Sequence, residues 1–171
     1  IDNLVIKGVP ETFAYVAHDT SSNNDNADEA PQAAKNESAN DVRDSVLQLC
    51  NSVLNVDLLP GDISIAHRLP KSRLDTVRPV IIRFSNRYAR NRVYAARSKL
   101  KNYRSSAGGR VFINEHLTKY QDELFASCRK LWKSKLIAST WSWNGITHVK
   151  LLESKGGNIL KIHEKADIDN L

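Results

Sequence analysis

The sequence predicts an α+β protein of two units. A βαββαβ arrangement occupies residues 1–115, and a small helix-plus-antiparallel-sheet unit occupies 116–171. Three observations predict it. Short alternating or apolar runs, bounded by turn residues, are interleaved with segments of helical period in that order. The pair Asn144-Gly145, with a strand-like run on each side, marks a hairpin. The length of 171 residues suffices for a core, since a domain of about 150 residues buries roughly 68–70% of its unfolded surface.

Residues 3–9 (NLVIKGV) read as the first strand, closed by Pro10. Residues 17–40 are acidic, polar and without period, so they read as a disordered insertion with too little apolar surface to offset the ordering entropy. Asn40 or Asp41 caps the helix that follows, whose apolar residues are Val42, Val46, Leu49, Cys50 and Val53. Pro60-Gly61 is a turn, 62–69 a strand, 70–78 a basic loop and 79–84 a strand. A helix over 86–102 buries Ala89, Val93, Ala96 and Leu100, and after a turn at 105–109 the strand 110–114 completes the unit. This order is shared by ferredoxin-like and RNA-recognition-motif (RRM-like) folds.

Thr118 and Gln121 form a capping-box pattern that opens a helix to about Ile137, with Leu117, Tyr120, Leu124, Cys128 and Leu131 as its core stripe. Strands over 139–143 and 146–152 enclose the Asn-Gly turn, 158–163 is a further strand, and the tail KADIDNL begins a last helix. The tetrad IDNL occurs at both ends but is too short to count as a repeat.

Charge is distributed unevenly. Residues 1–62 hold 3 Lys/Arg against 11 Asp/Glu, whereas 63–150 hold 19 against 4. So basic a block points to a polyanionic partner, and nucleic acid is the expectation. The other classes fare worse. No apolar run approaches the roughly 20 residues of a membrane span. No basic-then-apolar leader suggests secretion, so a cytoplasmic ribonucleoprotein or nuclear location is expected. A chain without Met that begins at Ile1 reads as a piece of a longer protein. Phosphate-loop, dinucleotide, nucleophile-elbow and zinc-protease motifs are all missing, so no enzyme, cofactor or metal is expected. The acidic residues Asp19, Asp25, Asp28 and Glu29 lack the spacing of a calcium loop. Cys50 and Cys128 fall on apolar helix faces and read as buried thiols.

Four basic groups are candidates for phosphate contact. The first is the loop Arg68, Lys71, Arg73 and Arg78, where the planar guanidinium fork suits phosphate oxygens. Arg83 faces outward on the neighbouring strand. The second is the stripe Arg87, Arg90, Tyr94, Arg97, Lys101 and Arg104, whose helical members share one face that is either a contact face or an ordinary solvent face. The third is the exposed side of the later helix, with Lys119, Arg129, Lys130, Lys133 and Lys135. The fourth is the hairpin, where alternation sets Trp141, Trp143, Ile146, His148 and Lys150 on one face. Trp141 is assigned to the core, and Trp143 stays open between packing and base stacking.

The runs IAHRLPKSRLDTVRPVIIRF, RVFINEHLTKYQDELFASCRKLWKS and WSWNGITHVK resemble the nucleic-acid-binding half of the first-open-reading-frame proteins of LINE retrotransposons. The FINEHLT and WSWNG segments are similar to the baculovirus few-polyhedra (FP) protein family. The resemblance implies an RRM-like domain and a C-terminal domain that coat single-stranded RNA and act as a nucleic-acid chaperone, with single-stranded DNA as the alternative ligand. It implies trimers formed through an upstream coiled coil that this chain lacks. It further implies backbone contacts from Arg68, Lys71 and Arg73 on one side of a cleft and from Arg129 and Lys130 on the other. A departure is the absence of aromatics at the outward positions of the central strands, Val5, Ile81 and Arg83, which favours backbone binding over stacking on the sheet. The alternative function is a protein-interaction module with a basic surface and a Trp141/Trp143 anchor.

Overall fold

The computed structural model describes residues 3–11, 37–70 and 77–171. The insertion expected over 17–40 therefore lies outside the described residues up to position 36, and so does the loop holding Lys71 and Arg73.

The described chain is α+β, with two antiparallel sheets. Its elements in order are β1 (Asn3–Lys7), α1 (Ala39–Gln48), β2 (Ile63–Arg68), β3 (Val80–Phe84), α2 (Arg87–Ala96) and β4 (Phe112–Glu115). After these come α3 (Lys119–Lys133), β5 (Ser139–Trp143), β6 (Ile146–Lys150), β7 (Ile159–Ile162) and α4 (Lys165–Asp169). The first sheet has the strand order β2-β3-β1-β4, and the second β5-β6-β7.

The first sheet buries one face. Leu4 and Ile6 on β1, Val80, Ile82 and Phe84 on β3, and Ile113 on β4 pack against Val42, Val46 and Cys50 of α1 and Ala89 and Val93 of α2. The cap of α1 is Ser38, not Asn40 or Asp41. Its hydroxyl accepts from Asp41 N–H at 3.2 Å, and the Asp41 carboxylate accepts from Ser38 N–H at 2.8 Å. A π-helical turn, Leu49–Val53, and a 3₁₀ turn, Arg97–Asn102, extend α1 and α2. Because side chains alternate, the other face carries Val5 and Lys7, Ile65 and His67, Ile81 and Arg83, and Phe112 and Asn114. Gly8, at φ +86°, lets β1 pass close to the strand beside it, since a Cβ there would lie 2.1 Å from the Arg110 carbonyl oxygen.

In the second sheet, Asn144 and Gly145 both take positive φ (50° and 78°), as the expected two-residue hairpin turn requires. Trp143 pairs with Ile146 and Trp141 with His148. The side toward α3 holds Ser142, Thr147, Val149 and Ile162, which are buried with Leu124, Cys128 and Ile137. Trp141 therefore lies on the opposite face, stacked on the His148 ring at 5.6 Å, which corrects its assignment to the core. Tyr120, expected in the α3 core stripe, is exposed, while Leu124 and Cys128 are buried. The helix stops at Lys133, short of Ile137, because Lys135 turns left-handed (φ 59°). Both cysteines are buried and free, and burial pushes their thiols up to about 12 (Cys50) and about 11 (Cys128).

Candidate nucleic-acid interface

A cleft opens between the uncovered face of the first sheet and α3. It consists of two adjoining depressions of about 490 and 440 Å³. Lys7, Phe112 and Asn114 line the sheet side, and Phe125, Arg129 and Trp132 line the helix side. Local sequence explains these positions. In β4, Ile113 and Glu115 are buried, so Phe112 and Asn114 must face outward. In α3, residues 125, 129 and 132 lie one helical turn apart, next to the stripe that buries Leu124 and Cys128. Phe112 and Trp132 are each half exposed, although large and apolar. The Arg129 guanidinium lies 5.9 Å from the Phe125 ring centre, within cation–π range. Lys119 and Asp122 stand at the end of the cleft nearest the start of α3. Cations beside exposed rings are what an unpaired strand requires: charge for phosphate and planar surface for bases. No cluster of three metal-ligating side chains occurs among the described residues.

A polar latch holds the cleft's two walls in place. Arg90 of α2 and Glu115 of β4 form an ion pair with both side chains almost fully buried. Glu115 also accepts from Gly145 N–H, at 3.2 Å, in the hairpin turn. The Tyr94 hydroxyl donates to the Ser142 carbonyl at 2.8 Å, and burial raises its pKa against the lowering effect of the Ser142 side chain. The Trp143 ring packs 5.7 Å from the Tyr94 ring, and the Arg97 guanidinium lies 3.8 Å from the centre of the Tyr94 ring. Among the described residues, five apolar side chains form the buried cluster around α3 and the second sheet, so attachment to the first sheet matters to their stability.

Several predicted contact residues are thus placed differently. Arg68 is a structural residue. Its guanidinium is buried and bonds Glu37 (2.7 Å), the carbonyls of Val9 (2.7 Å) and Pro10 (2.7 Å), and that of Arg78 (3.0 Å). No donor is left over to grip phosphate. Arg78 pairs with Glu11 at 2.8 Å. Arg90 is neither a contact nor a solvent residue, because it lies in the latch, and Arg97 is drawn toward it by the Tyr94 ring and carbonyl. Trp143 packs on Tyr94 with one part of its ring and stays 37% exposed. Arg83, Arg87, Lys101, Lys130 and Lys133 are exposed outside the cleft proper, and Lys150 pairs with Glu153 at 3.1 Å. Of the predicted cations among the described residues, Arg129 lines both depressions of the cleft and Lys119 lines one.

Sequence reading missed Lys7, Phe112, Phe125 and Trp132. The alternation in RVFIN already set Phe112 opposite the buried Ile113, and the spacing of 125, 129 and 132 already aligned that second row. Compared with known proteins, the chain matches no family model and no curated sequence.

Proposed function

We propose that this chain is a non-catalytic single-stranded RNA-binding module that holds its ligand in the cleft between the first sheet and α3. The observation that carries the reading is the meeting of Lys7 and Arg129 with the exposed rings of Phe112 and Trp132 in one open cleft. The strand order β2-β3-β1-β4, with α1 and α2 on one face, supports an RRM-like first domain. The resemblance to LINE first-open-reading-frame proteins adds RNA coating and chaperone activity to the proposal. Backbone cations supply most of the affinity, and Phe112 and Trp132 select unpaired bases over duplex. Little sequence preference follows, because phosphate contacts carry no sequence information.

The test is fluorescence anisotropy with a labelled single-stranded RNA at about 50 and 200 mM salt, with duplex DNA as competitor. If about five phosphates are neutralised, log affinity falls against log salt with a slope of about −3.5. Duplex should compete poorly. No binding at the lower salt would overturn the reading and leave the basic surface to an acidic protein partner.

A further inference from the structure

A third depression, of about 300 Å³, lies beyond the cleft along β4. Arg97, Lys101 and Arg110 are its cations, and Val111 to Asn114 form its strand wall. Its described lining contains no carboxylate. Phe112 and Asn114 line both this depression and the cleft, so the two are continuous across β4. Among the described residues, the strand order leaves β4 at the edge of its sheet, with no strand paired to its outer side. Lys101 and Arg110 are exposed, and neither side chain has an ion-pair or hydrogen-bond partner among the described residues.

We infer that this depression is a second phosphate subsite, where Lys101 and Arg110 hold the continuation of a single strand whose first part occupies the cleft. The inference rests on the proposed RNA-binding reading and extends it to the path of the ligand. Three clustered cations without a carboxylate in the described lining raise the local concentration of a polyanion, and no described acid pairs with Lys101 or Arg110. Arg97 contributes field more than grip, since one N–H already bonds the Tyr94 carbonyl at 2.7 Å. The strand leaves the cleft past Phe112, whose ring serves both depressions. Short ligands then fill the cleft alone, and longer ones reach Lys101 and Arg110.

The test compares labelled oligouridines of roughly 5 and roughly 20 nucleotides, bracketing the usual length range of single-strand sites, on the full chain and its Lys101→Ala/Arg110→Ala variant. Both positions are exposed, so folding is retained, and circular dichroism checks it. The variant should bind the short RNA within about twofold of the parent. It should bind the long RNA several-fold more weakly, with a salt slope reduced by about 1.4, or about 0.7 for each lost phosphate contact. The charge-keeping variant Lys101→Arg/Arg110→Lys should behave like the parent. An unchanged slope on the long RNA would overturn the subsite while leaving the cleft intact. Equal weakening on both lengths would also overturn it, since that is the mark of a diffuse field. If the parent bound neither RNA but bound polyglutamate, the β4 edge would belong to an acidic peptide, and both readings would fall.

Discussion

Replacing Glu115 with Gln removes the acid from the buried Arg90 pair and leaves a guanidinium that is 1% exposed without its counter-ion. Losing one partner of a buried pair costs about 3–5 kcal/mol. Arg90 keeps its 3.0 Å bond to Asn91 and its place 5.0 Å from the Tyr94 ring centre, so the lower end, about 3 kcal/mol, is expected. For a chain of this length each kcal/mol moves the melting temperature by roughly 2–4 °C, so the shift should be roughly 6–12 °C. Thermal melts followed by circular dichroism measure it. Amide exchange at Gly145 should speed up in the same variant, because its N–H donates to Glu115. The apolar pair Arg90→Met/Glu115→Leu should recover most of the loss, since well-packed replacements of buried pairs are often neutral or stabilising. A shift below roughly 2 °C, or a double variant no better than the single one, would refute the latch as an electrostatic device.

The other predictions concern the cleft, the backbone and acid. Arg129→Ala should lower the salt slope of RNA binding by about 0.7, whereas Phe112→Ala should leave the slope unchanged and cost about 1–3 kcal/mol of stacking, which separates charge from planarity in one titration series. Gly8→Ala puts a Cβ 2.1 Å from the Arg110 carbonyl oxygen at a positive φ, so the urea midpoint should fall by the equivalent of at least about 2 kcal/mol. Lys135→Gly relieves a left-handed residue after α3 and should raise stability by up to about 1 kcal/mol in the same assay. The Arg78 guanidinium beside Glu11 holds that carboxyl below its ordinary value, so its contribution is complete above the usual carboxylate range and is lost as pH falls through the lowered value. Glu11→Gln should therefore flatten the acid limb of a stability–pH profile relative to the parent.

Much of the architecture was legible locally. The period of Val42, Val46 and Cys50, the Asn144-Gly145 turn and the alternation along 62–69 and 79–84 each depend on neighbours a few residues apart, and the structure places helices, a hairpin and strands there. Boundaries were less legible. Ser38 caps α1 because Asp41 closes a reciprocal pair of bonds, and the nearer Asn40 offered an equally good local pattern. The role of a charge was the least legible feature. Arg68 and Arg129 read alike as basic residues in a basic block. Their difference arises because Glu37, thirty-one positions earlier, reaches Arg68, while Arg129 stands on a helix face that opens into the cleft.

By itself, the sequence determined the alternation of strands and helices, the hairpin turn and the concentration of positive charge between residues 63 and 150, because these follow from short-range periodicity and composition. Tertiary structure decided which charges remain available. Packing α2 beside β4 withdrew Arg90 into an ion pair with Glu115, and the second sheet's approach to α2 turned Tyr94 and Trp143 into a joint. Bringing β4 beside α3 assembled Phe112, Arg129 and Trp132, which lie in two separate elements, around one cleft. An ionic side chain is buried or left exposed by partners distant in the chain, and no local pattern encodes their arrival.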